Sequence, residues 1–254
     1  MKARARVIGA LTGRALNEIL RVPGAAIPGI LAPTIFMLGI SSVFGQAVHL
    51  PHFGASDFRS FIVPVGLLQS ASFAGAATGV NLARDIEQGW FDRLLLCPTP
   101  RVVLLGGIVG SASLRALLPS SFLVAVALAL GVPSPGLLGI GLAAVLVMGL
   151  AMAVAFYAVM IALHFRTQQA APLMQIGGFI AVLFTSAYAP VALLTGWLQT
   201  ITRINPVTQV LTGVRQGFVS HVTWGATWPA LASLAGMLLV LGALAVRALL
   251  RTGA

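Results

Sequence analysis

Three of the five acidic residues in this 254-residue chain, Asp85, Glu87 and Asp92, lie in one short stretch beside Arg84 and Arg93. That stretch, Arg84 to Arg101, stands between two long apolar segments. A charged side chain at the centre of a bilayer costs about 3 kcal/mol or more, so a patch carrying both signs of charge must lie outside the hydrocarbon. The run Glu87-Gln-Gly89-Trp90-Phe91-Asp92-Arg93-Leu94-Leu95 places acids early and arginine later, as a short helix would. Trp90, Phe91, Leu94 and Leu95 give it an apolar side suited to a groove on a partner. Pro98 and Pro100 stop the helix before the next apolar segment. On these residues alone, a docking helix and an ordinary interfacial loop with an aromatic anchor both remain open.

The remaining reactive side chains are sparse, and their types exclude several chemistries. A phosphate-binding P-loop needs a lysine after its glycines, and the only lysine here is Lys2, so the chain holds no such ATPase site of its own. Proton- or ion-driven exchangers carry acids or histidines inside their spans, whereas all five acids here fall outside the apolar segments. His49 and His52 are three apart in a connecting loop without a third ligand, which reads as an exposed loop rather than a metal site. The single cysteine, Cys97, excludes an internal disulfide and any cysteine-based metal site. No serine and histidine fall into a nucleophilic motif.

The elements that hold these residues are those of a membrane protein. The chain is 58% hydrophobic and 8% charged, against about 25% charged in a soluble domain. Its net charge of +10 is spread over loop ends and not clustered with aromatics, which argues against nucleic acid as a partner. Residues 1–22 read as an amphipathic interfacial helix with arginines facing anionic lipid, or else as a solvated basic tail. Arg14, Glu18 and Arg21 break any signal-peptide core.

Six spans are expected in an all-helical, polytopic fold forming one domain over 1–254: Ile27–Leu50, Phe58–Ala83, a third within Val102–Val132, Leu137–Leu163, Ala171–Ala189 and Trp228–Leu250. The second is rich in glycine, alanine and serine, the composition of a close helix–helix contact. The third is 31 residues, roughly 46 Å as a helix, so part of it projects; Arg115 is expected at the membrane edge, the other reading being an intramembrane grip on an anionic substrate. Residues 191–224 are only moderately apolar and are broken by Asn205-Pro206, which predicts two half-helices dipping into one leaflet. With both termini inside, Lys2, Arg4, Arg6, Arg14, Arg21, Arg84, Arg93, Arg101, Arg115, Arg166, Arg247 and Arg251 are internal, and only Arg59, Arg203 and Arg215 are external. This asymmetry puts the Arg84–Arg101 stretch in the cytoplasm and the Asn205-Pro206 region outside.

Two motifs resemble those of the ABC type-2 transporter permeases, in particular the small bacterial drug- and lipid-exporting kind typified by the daunorubicin-resistance permeases. One is Arg84-Asp85-x-Glu87-x-Gly89-Trp90-x-Asp92-Arg93-Leu94-Leu95-x-x-Pro98-x-x-Arg101; the other is Trp197-Leu198-x-x-Ile201-x-x-x-Asn205-Pro206-Val207-Thr208, followed by Arg215. The chain departs from the family pattern at Gln209 and Thr212, where tyrosine and an acid are common.

The resemblance implies a transport subunit of a bacterial cytoplasmic membrane. It would pair with a second permease, a copy or a sister chain, and with two ATPase subunits that hold ATP and magnesium. It would move hydrophobic or amphiphilic compounds such as drugs, antibiotics or lipids outward. The alternative is a membrane anchor that recruits an ATPase and transports nothing. The resemblance makes Arg84, Asp85, Glu87, Gly89, Trp90, Phe91, Asp92, Arg93 and Leu94 a coupling helix, with the N-terminal helix a second ATPase contact. It makes Trp197, Arg203, Asn205, Pro206 and Arg215 part of an outer gate. Phe36, Met37, Phe61, Phe73, Met174, Phe179 and Phe184 become candidates for a substrate pathway, although most such residues serve packing or face lipid.

Overall fold

The computed structural model describes residues 13, 23–49, 53, 55, 57–96 and 99–251. The amphipathic helix expected over 1–22 therefore lies outside the described residues apart from Gly13, as do Cys97 and Pro98. The described chain is helical, with no strand: α1 Pro23–Phe44, α2 Phe58–Glu87, α3 Trp90–Leu95, α4 Arg101–Ala129, α5 Gly136–Phe165, α6 Ala171–Leu183, α7 Gly196–Ile204, α8 Pro206–Val219 and α9 Trp224–Arg251. Short 3-10 turns at Gly45–His49, Gln168–Ala170 and Val191–Leu193 link them. This is the all-helical, polytopic architecture that the composition requires.

The organising element is α2. Asp57 caps its start by accepting from Ser60 N at 3.3 Å. The helix touches α1, α4, α5, α6 and α8. Its small residues do what their composition implies: a Cβ on Gly79 would lie 2.5 Å from that of Ala158, and one on Gly75 would lie 2.6 Å from the carbonyl oxygen of Ala151. With no side chain there, the backbones of α2 and α5 come into direct contact, the main source of cohesion between helices in lipid. Leu67, Leu68, Leu146 and Leu150 fill the rest of this central layer, each almost fully buried.

Five described segments are long and apolar enough to cross a membrane: Gly29–His49, Phe58–Glu87, Arg101–Ala129, Gly136–Phe165 and Trp224–Arg251. The expected fifth span, Ala171–Ala189, differs. As a helix it ends at Leu183, after 13 residues. That is about 20 Å, short of the roughly 30 Å hydrocarbon core. The chain from Phe184 to Pro190 continues without helix. Non-helical backbone at membrane depth survives only where protein satisfies its polar groups, and here α7 and α8 do so, as described below.

Arg115 lies midway along the continuous helix α4 and is 8% exposed, so its side chain is packed within the protein. Pro119 sits one turn on without ending the helix.

Candidate functional site

Two polar clusters stand at opposite ends of the bundle. The first is the Arg84–Arg101 stretch. α2 is 30 residues, about 45 Å, so its last turn extends past a hydrocarbon core of roughly 30 Å. Gly89 then adopts φ +71°, a left-handed conformation that reverses the chain into α3. The six-residue α3 presents two different sides. Phe91 is 3% exposed and turns inward, whereas Trp90 is 51% exposed. Phe91 and Leu95 face Leu82 of α2, Leu104 and Leu105 of α4, Val159 and Leu163 of α5, and Leu249 of α9 around a small apolar gap. The apolar side expected from Trp90, Phe91, Leu94 and Leu95 is thus divided: Phe91 seats the helix on the bundle, Leu94 and Leu95 are half-buried, and Trp90 remains at the surface. Asp92, Arg93 and Arg84 are exposed; Asp85, Gly89 and Leu94 are half-buried.

Glu87 is committed inside the chain. Its carboxylate accepts from the Thr167 hydroxyl at 2.8 Å, from the Gln168 backbone N–H at 2.9 Å, and from the Gln168 side-chain amide. Arg84 Nε completes the frame by donating to Gln168 Oε1 at 3.3 Å. The Gln168 amide, then its backbone N–H and the Thr167 hydroxyl, hold the Glu87 carboxyl below its ordinary pKa, because each donor favours the ionised form. This stabilisation is present at neutral pH and is lost as pH falls through the lowered value. Arg166, whose φ of 55° is the one positive value among described non-glycine residues, turns α5 into this loop and lies 3.6 Å from Asp92. Arg166 was expected only as one of the internal basic residues, and Thr167 and Gln168 were not among the expected site residues. The available signal was Thr167, which caps the next helical turn by accepting from Gln169 N.

The second cluster surrounds Asn205-Pro206. The expected break is present: Asn205 separates α7 from α8, accepts from Val207 N at 3.0 Å as N-cap, and is followed by Pro206 at the first helical position. Its amide nitrogen also donates to the carbonyls of Ala181 at 2.7 Å and Phe184 at 3.0 Å. Arg215 donates to the carbonyls of Ser186 at 2.9 Å, Ala187 at 3.3 Å and Phe61 at 3.2 Å. Together these two side chains hold three carbonyls of the unwound backbone after α6, those of Phe184, Ser186 and Ala187. Trp197 is 65% exposed and sets its ring edge-on to Phe184 at 6.0 Å; Arg203 and Pro206 are exposed. Gln209 is half-buried, and Thr212 bonds back to the Thr208 carbonyl within α8.

The seven pathway candidates differ in exposure. Met37, Phe61 and Met174 are buried in the protein's own packing, Phe36 and Phe179 are exposed, and Phe73 and Phe184 are intermediate. No group of three or more histidine, cysteine, aspartate or glutamate side chains able to hold a metal occurs among the described residues.

A helical membrane protein with a short surface helix at one end and a broken, side-chain-capped span at the other is the class these features define. The ABC-2 type transporter family model matches residues 6–219, and the chain belongs to that family. It is 29% identical over 191 residues to the probable multidrug ABC transporter permease YbhR of Escherichia coli K12, covering 69% of this chain and 49% of that protein. It is also similar to the putative transport permease ycf38 of Cyanophora paradoxa, 25% identical over 217 residues, covering 84% and 74% of the two chains. The ycf38 of Pyropia yezoensis is 29% identical over 235 residues, covering 87% and 76%. The chain thus spans about half the length of the multidrug permease it matches.

Proposed function

We propose that this chain is the permease subunit of an ATP-driven exporter that moves hydrophobic or amphiphilic compounds, a drug, antibiotic or lipid, out across a bacterial cytoplasmic membrane. The observation that carries the reading is the division of α3, with Phe91 seated in the bundle and Trp90 exposed. A helix built this way can receive a push from a partner and pass it to α2, α4, α5 and α9. Family membership and the printed description of the bacterial relative support the same reading.

In this reading two ATPase subunits, which hold ATP and magnesium, dock against α3 on the cytoplasmic side. A second permease, a copy or a sister chain, completes the pathway. Both termini are cytoplasmic, by the distribution of arginines. The α7–α8 pair closes the outer face, and transport alternates between packings open to either side.

The test is ATP-dependent accumulation of a fluorescent amphiphile in inside-out vesicles containing the chain and an ABC-type ATPase that co-purifies with it. Glu87→Ala and Gly89→Pro should abolish accumulation while the protein stays in the membrane. Full accumulation by both variants would sink the coupling role. ATPase binding without any amphiphile-stimulated hydrolysis would favour the anchor reading instead.

A further inference from the structure

The two polar clusters are joined by one element. At its start, α6 follows directly on the Gln168–Ala170 turn, whose Gln168 N–H and side-chain amide are held by Glu87. At its end, the Ala181 carbonyl, in the last turn, and the Phe184 carbonyl, just beyond it, accept from the Asn205 amide. Asn205 is at the same time the N-cap of α8, so a single side chain closes the C-terminus of α6 and opens α8. Two residues beyond Phe184, Ser186 and then Ala187 are held by Arg215 of α8.

The middle of α6 is also fixed. Tyr157 OH of α5 donates to the Leu173 carbonyl at 3.0 Å. Gly177 lies against the Tyr157 ring, and Gly178 lies against Ser72 of α2 and Val154 of α5. A continuous hydrogen-bonded helix resists compression along its axis, and both ends of this one are bonded to other elements and not left to loops.

We infer that α6 is a rigid link tying the coupling segment at one end to the α7–α8 pair at the other, with Thr167, Gln168 and Asn205 as its positioning residues. The inference rests on the coupling reading of α3 but makes a separate demand: a change at Glu87 must be felt beyond Leu183. Physical coupling between distant sites needs a contiguous element that both sites bias, and α6 is bonded to both. Its shortness is part of the design. A full span would end in solvent, whereas α6 ends where Asn205 reaches it.

The experiment is hydrogen–deuterium exchange of the full chain in lipid nanodiscs. Glu87→Ala should raise exchange at 166–170 and also at 184–190, by roughly two- to tenfold at the remote site, the range that loss of one net hydrogen bond allows. Asn205→Ala should do the reverse, loosening 184–187 and, remotely, 166–170. Glu87→Gln, which keeps a carbonyl acceptor for the Gln168 N–H, should fall between wild type and alanine. Thr212→Ala, which removes only a bond within α8, should leave both regions unchanged.

A Glu87→Ala effect confined to 166–170, or an equal remote rise in Thr212→Ala, overturns the link. If Glu87→Ala does not accumulate, Gln168→Ala tests the same joint from its other side. Co-purification of the ATPase with the wild-type chain is read separately: its failure counts against the coupling reading, while the exchange pattern alone decides the link.

Discussion

Arg215 lies over the face of Phe61, its guanidinium carbon 3.7 Å from the ring centroid, while its Nε donates to the Phe61 backbone carbonyl at 3.2 Å. One residue of α2 thus receives both the π-face and the edge contact of a single guanidinium on α8. The same guanidinium reaches across to Ser186 and Ala187, so it bonds to three backbone carbonyls at once.

Lysine has no planar fork to reproduce this arrangement. Arg215→Lys should therefore lower stability by about 2 kcal/mol, the scale of lost charged hydrogen bonds and ring stacking. Thermal unfolding in detergent measures it, and a melting temperature equal to wild type would contradict the arrangement.

At Gly89 there is space but the wrong backbone angle for other residues. Nothing lies within 4 Å of a Cβ added there, yet φ is +71°. Gly89→Ala should cost only the left-handed penalty of about 1–2 kcal/mol and retain measurable amphiphile transport. Gly89→Pro, whose ring fixes φ near −65°, should remove it. Retained transport by Gly89→Pro would show that the turn is not needed.

Glycines on helices divide by their neighbours. Gly79→Ala should destabilise by about 1–3 kcal/mol through overpacking, because its Cβ would meet the Ala158 Cβ and backbone at 2.5–2.7 Å. Gly106→Ala on α4 meets nothing within 4 Å and should be neutral or stabilising by up to about 1 kcal/mol. The two melting temperatures should move in opposite directions, or at least differ by several degrees.

The two aromatic residues that open α3 should respond differently. Phe91→Ala empties a site that is 3% exposed and should cost about 3–5 kcal/mol of stability. Trp90→Ala, at a half-exposed site, should cost much less stability yet weaken co-purification with an ATPase. Loss of stability without loss of ATPase binding at Trp90 would reverse the assigned faces.

Breaking the Asp92–Arg166 pair should do little by itself. Its members are 3.6 Å apart, with side chains 54% and 63% exposed, so Asp92→Asn should change stability by no more than about 1 kcal/mol. A larger loss would mean that the pair, and not Glu87, anchors the loop.

What the sequence by itself determined is local or compositional. The lack of charge made this a helical membrane protein, Asn205-Pro206 marked a helix boundary with its cap, and the small residues of α2 announced a close contact. Each follows from a residue's own backbone preference or from its transfer energy, which do not depend on what stands beside it. Tertiary structure decided the rest. Glu87, though exposed, bonds to Thr167 and Gln168, some 80 positions on. Phe91 went in and Trp90 stayed out. Arg115 was covered by its neighbours, and the fifth span stopped at Leu183 because Asn205 and Arg215 satisfied the carbonyls beyond it. Helical periodicity says that a face is apolar or polar. It does not say which other helix that face meets, and in a bilayer, where lipid is as apolar as a neighbouring helix, close packing and hydrogen bonds between elements make that choice.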